Sequence, residues 1–168
     1  VFRWLKNKFM KFVLTTKLLL LTLIIAYPQV DPVNKEGVAI GGYDVVSYFQ
    51  PDGPAKGNSN FKYVYNAVTY HFTSAENLNL FKENPEKYIP QFGGYCALAV
   101  SYGKKISIDP QTFKITDNKL YLFFKGKTTH GSVNSIETWN KNEPKLLKKA
   151  ESLWPDVKKR KYKQEDTL

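Results

Sequence analysis

From residue 38 onward the chain alternates short apolar runs with polar punctuation, and no apolar period persists for long. Phe61–Tyr65 and Val68–Phe72 are aromatic-rich runs separated by Asn66–Ala67. That spacing predicts two strands joined by a tight hairpin, because Asn tolerates positive φ better than most residues. Phe61, Tyr63 and Tyr65 share one strand face. On the next strand Val68, Tyr70 and Phe72 form the apolar face, with Thr69 and His71 on the other. Thr73 and Glu76 then have capping-box spacing, and Leu78 and Phe81 begin a short helical stripe that Asn84–Pro85 ends or redirects. Pro85–Gln91 reads as a second helical turn with Tyr88 and Ile89 inward. A glycine turn, Gly93–Gly94, runs into Tyr95–Cys96 and the small-residue segment Ala97–Val100, which Gly103 closes.

A second hairpin is predicted over Phe113–Ile115 and Leu120–Phe124, turning at Asp117–Asn118. Asp109–Pro110 marks a turn, and 126–135 reads as a polar loop carrying His130. Trp139 opens a final helical region in which Asn142–Glu143–Pro144 is the sharper start signal. Leu146, Leu147, Ala150, Leu153 and Trp154 supply its buried stripe. After Pro155 apolar periodicity is lost. The pattern predicts a compact α+β domain of short antiparallel strand pairs with packed helices over residues 38–156, followed by a basic polar tail at 157–168.

The opening of the chain has a different character. Leu18–Ala26 is a nine-residue apolar run behind a flank holding Arg3, Lys6, Lys8, Lys11 and Lys17 and no acidic residue. This is the arrangement of a signal peptide, and the run is short for a bilayer core of about 30 Å. Residues 1–26 are therefore expected to be a signal peptide or, if retained, an N-terminal membrane anchor. Met10–Lys11 would make a conventional start, with cleavage near Ala26. Residues 27–37, with Pro28 and Pro32, form the expected linker. Export would place the protein in the periplasm or outside the cell, with membrane contact only through an uncleaved N-terminal segment.

Composition narrows the chemistry. The 168 residues suit one domain with an ordinary core. A net charge of +10 is misleading, because the basic flank and the run Lys158–Lys163 supply much of it. Neither that charge nor the 15% aromatic content defines an aromatic–basic surface, so no nucleic-acid partner is expected. One cysteine excludes an intrachain disulfide, a four-thiolate zinc site and a CxxC pair, although a disulfide-linked homodimer stays open. Two histidines exclude a centre of three or more imidazoles.

Three residues then stand out. Cys96 follows a glycine turn where backbone N–H groups could stabilise a thiolate able to bind a soft metal or react; the alternative is a buried, inert small hydrophobe. His71 could help such a thiolate hold copper, zinc or iron, or could be a surface or hydrogen-bonded histidine. Asp44 lies in an apolar run, where a carboxylate needs a cation, a cap N–H or a metal. A Cys–His–Asp triad is an inventory without geometry, so catalysis is the weaker expectation.

Several segments together resemble the YHS-domain family, in its small exported single-domain form. They are Gly42–Phe49 (GYDVVSYF), Tyr70–Phe72 with Thr73–Ser74, Asn77–Ala97 (NLNLFKENPEKYIPQFGGYCA), Asp109–Pro110, Asn118–Phe124, Trp139 and Trp154–Pro155. The resemblance covers about residues 40–156. It implies kinship with small metal-binding domains, hence an accessory protein taking a transition metal or small metal-containing ligand at Cys96, with His71 or Asp44 assisting. Those domains use several cysteines and this chain has one. Phe72–Thr73 also separates Tyr70–His71 from Ser74. The alternatives are a non-catalytic structural or interaction module and, less favoured, a thiol redox enzyme.

Overall fold

A computed structural model describes residues 37–129 and 131–162. The expected signal or anchor, almost all of the linker, His130 and the end of the tail lie outside the described residues. Strands β1 (Asn58–Tyr65) and β2 (Val68–Phe72) form an antiparallel hairpin. Asn66 and Ala67 turn it with φ of 50° and 62°, as the Asn at that position predicts. β2 buries Val68, Tyr70 and Phe72 and leaves Thr69 and His71 half-buried. Its other edge carries Val38 and Ala39, the latter donating its N–H to the Thr69 carbonyl at 2.9 Å.

Helix α1 (Ala75–Glu83) starts one residue later than the Thr73–Glu76 pair predicts. Ser74 is the cap, and its hydroxyl accepts from the Asn77 N–H. The reason is that the Thr73 hydroxyl is already committed, donating to Asp44 Oδ2 at 2.8 Å. α1 lays Phe81 against the hairpin, where the rings of Tyr63, Tyr65, Tyr70 and Phe72 lie 4.8 to 6.3 Å from it. Helix α2 (Pro85–Tyr88) starts on proline, whose missing N–H costs nothing in a first turn, and turns Tyr88 and Ile89 inward.

The second half builds around β3 (Asp109–Thr116) and β4 (Lys119–Phe123), an antiparallel pair turned by Asp117–Asn118 at φ 50° and 55°. Beside it pack α3 (Ala97–Ser101), α4 (Ser135–Lys141) and α5 (Glu143–Lys158). Leu120 and Leu122 of β4 join the first cluster of buried residues, whereas Tyr121 and Phe123 face a second one around Trp139, Cys96 and Ala150. Strand alternation thus lets β4 serve both cores.

Asp109–Pro110, expected as a turn, instead opens β3, and two further segments differ from expectation. The polar stretch 126–135 is largely a third hairpin, β5 (Lys125–Thr128) with β6 (Gly131–Asn134). Its low hydrophobicity hid the strands, since backbone pairing needs no apolar face. The basic tail also begins later than residue 157. α5 continues through Pro155 to Lys158, and Val157 is buried. Proline removes one helical N–H bond, but Lys105, only 7% exposed, ties down the helix end. Its ammonium donates to the carbonyls of Lys158 and Arg160 at 3.1 and 2.7 Å, where the helix dipole favours a cation. Among the described residues no helix is long and apolar enough to cross a membrane.

The start of α5 is joined to β3 by charge. Lys114 Nζ lies 2.6 Å from one Glu143 oxygen, and the Thr116 hydroxyl donates to the other at 2.7 Å. Partial burial raises the Glu143 carboxyl, but hydrogen bonds from Lys114 and Thr116 and the Lys114 charge outweigh it and hold it below the usual carboxylate range. A lowered acid stabilises the fold above its unfolded pKa and loses that contribution as pH falls through the folded value. Urea unfolding followed from about pH 7 to about pH 3 should therefore show an acid-side loss of stability that is reduced in Glu143→Gln. An unchanged acid limb in that variant would contradict the assignment.

Candidate functional site

The three residues singled out from the sequence fall in two different places. Asp44 has no exposed surface, and each of its oxygens is committed. Oδ1 accepts from the Val46 N–H at 2.8 Å; Oδ2 accepts from the Thr73 N–H, the Thr73 hydroxyl and Asn77 Nδ2 at 2.7 to 2.8 Å. This carboxylate pins the loop before β1 to the junction between β2 and α1. Its lone pairs are engaged by donors, so no metal is required to explain its burial.

His71 lies on the half-buried face of β2, paired with Lys62 of β1. Gly42 approaches it on one side, since a Cβ there would stand 3.8 Å from His71 Nδ1.

Cys96 belongs to the second cluster and is completely buried. It occupies the cap position of α3, yet its side chain makes no cap bond. Sγ lies 3.3 Å from Ser135 Oγ instead. Ser135 Oγ itself donates to the Phe124 carbonyl at 2.8 Å, and a carbonyl can only accept. The single hydroxyl proton is thereby used, so the thiol supplies the proton of the S–H···O contact. Cys96 sits here as a neutral donor between α3 and α4.

Cys96, His71 and Asp44 are therefore not brought together as one donor set. Asp44 and His71 flank the first cluster, and Cys96 is enclosed in the second. Among the described residues no group of three or more His, Cys, Asp and Glu side chains is placed to hold a metal. Sequence spacing could not reveal this, because the two halves close around separate cores.

The structure adds a site that spacing did not indicate. Gln91–Gly94 turns with Phe92, Gly93 and Gly94 at φ 53°, 58° and 79°. A bulky residue in the left-handed region is a strained exception. It swings the Phe92 ring against Trp154 of α5, centroids 5.9 Å apart, and Tyr121 of β4 at 5.8 Å. Between this turn, α2 and α5 lies a cleft of about 170 Å³ at the junction of the two cores. Glu86, Phe92, Trp154 and Lys158 are among the residues that line it. Burial, aided by the charges of Glu151, Asp117 and Glu143, pushes the Tyr121 phenol up to about 12, so it keeps its proton at neutral pH. The proline before the turn and the glycine pair after Phe92 were the available sequence signals.

The described residues thus form an α+β domain with two buried clusters and a cleft between them. The family model of the YHS domain matches residues 53–92. The resemblance read from the sequence is shown for that segment, which runs from before β1 to Phe92 and contains His71 but neither Asp44 nor Cys96. No significant match was found among curated proteins or among solved structures. A metal-binding accessory role fits a YHS domain.

Proposed function

We propose that this chain is an exported, non-catalytic accessory module that binds a ligand and does not transform it. The observation that carries this reading is the state of its one thiol: Cys96 is sealed and donates to Ser135. A nucleophile or redox thiol needs an accessible thiolate and a base or cation beside it. Export is supported by the acid-free basic flank before Leu18–Ala26.

Titration of the full chain with Cu(I), Zn(II) and Fe(II) tests it. Cys96→Ala should bind each ion as the wild type does, while losing about 1–2 kcal/mol of stability from the vacated space and the lost contact. Stoichiometric binding that disappears in Cys96→Ala would show the thiol to be reachable and remove the observation on which this reading rests. A second reading, metal binding through an imidazole, is favoured by the position of His71, half-buried and inside the matched segment. It predicts binding that survives Cys96→Ala and is lost in His71→Ala.

A further inference from the structure

We propose that the cleft between α2 and α5 binds a free α-amino acid with an apolar side chain. Charges of opposite sign line it from two elements: Glu86 from α2 and Lys158 from α5. These two side chains make no ion pair with each other, although both line the same space. The same cleft is lined by Pro90, Phe92 and Trp154 together with the Gln91 amide.

The Glu86 carboxylate and the backbone of Lys158 each have a protein partner. The Tyr65 hydroxyl donates to Glu86 Oε1 at 2.9 Å, leaving Oε2 for a ligand ammonium. The Lys105 ammonium grips the Lys158 carbonyl, fixing the helix end from which the Lys158 side chain projects. Trp154 and Lys158 are one turn apart on α5, so the indole and the ammonium share one helix face. The strained Phe92 backbone supplies the aromatic floor, and strain of this kind gathers where a site needs a side chain in one place.

Ligand size follows from the volume. About 170 Å³ is below the range of drug-sized pockets, roughly 300–1,000 Å³, and suits a small metabolite. A ligand with one charge would engage only one of these two groups. A zwitterion answers both charges, and an apolar side chain displaces water from the aromatic rings. The inference deepens the binding-module reading by naming a ligand class, and its failure would leave the metal titrations unaffected.

Isothermal titration of the full chain with L-leucine and L-phenylalanine is the test. Saturable binding with Kd of about 1 mM or tighter is expected. Phenethylamine, 3-phenylpropionate and glycine, each lacking one of the three features, should bind at least about tenfold more weakly. Glu86→Gln and Lys158→Gln should each weaken binding about tenfold, with unchanged urea midpoints showing an intact fold. The proposal is overturned by any of three results: no saturation by either amino acid, equal affinity for the single-charge analogues, or variants that bind like the wild type.

Discussion

Replacing Asp44 by alanine should cost about 4 kcal/mol or more, the largest loss expected for any single side chain here. The carboxylate is wholly buried and accepts from Val46, Thr73 and Asn77. Each buried donor left without an acceptor costs about 1–3 kcal/mol, moderated where water enters the vacated space. Against a domain stability of about 5–15 kcal/mol, that is a large share. Asp44→Asn should be milder, at about 1–3 kcal/mol. Its amide oxygen can keep the three donors now on Oδ2, but its NH₂ then meets the Val46 N–H, donor against donor. Urea midpoints at constant m should rank wild type above Asn and Asn above Ala. If Asn and Ala were equally stable, or either matched wild type, the carboxylate would not be the pin described.

Gly57→Ala is expected to cost about 3 kcal/mol through overlap alone. A Cβ at this position would stand 2.5 Å from the His71 carbonyl carbon, 2.6 Å from its oxygen and 2.7 Å from the Phe72 nitrogen. These are backbone atoms of β2 and cannot rotate aside. Relief requires the chain entering β1 to move off β2, which breaks the 2.8 Å bond from the Gly57 N–H to the Gly42 carbonyl. Gly53→Ala is the control, since a Cβ there meets nothing within 4 Å. That substitution carries only the left-handed backbone penalty of about 1 kcal/mol. Thermal unfolding of both variants separates the effects; equal shifts would show that close approach is not what Gly57 serves.

Much of the local architecture was legible. Residues 66–67 and 117–118 are turns because Asn66, Asp117 and Asn118, which tolerate positive φ, stand between two apolar runs. The alternation of β2 foretold its buried face. The cap of α1 was missed by one residue because Thr73 serves a carboxylate 29 positions away, which no local spacing encodes. The β5–β6 hairpin was missed because its strands pair through backbone groups with little apolar signature. Of the candidate site, Cys96, His71 and Asp44 were conspicuous as residue types, yet their chemistry depends on neighbours. Ser135 lies 39 positions from Cys96 and decides where the thiol proton goes.

The amino-acid sequence alone determined the α+β class, the two tight hairpins, the proline-started helices and the family resemblance, because all of these follow from short-range periodicity, turn preference and motif. Only the tertiary structure decided that β4 divides its faces between two cores, that Asp44 is saturated and Cys96 enclosed, and that Phe92, Trp154, Glu86 and Lys158 surround one cleft. Those outcomes depend on contacts between residues far apart in the chain, and burial and hydrogen-bond partnership are properties of the closed packing, not of any segment within it.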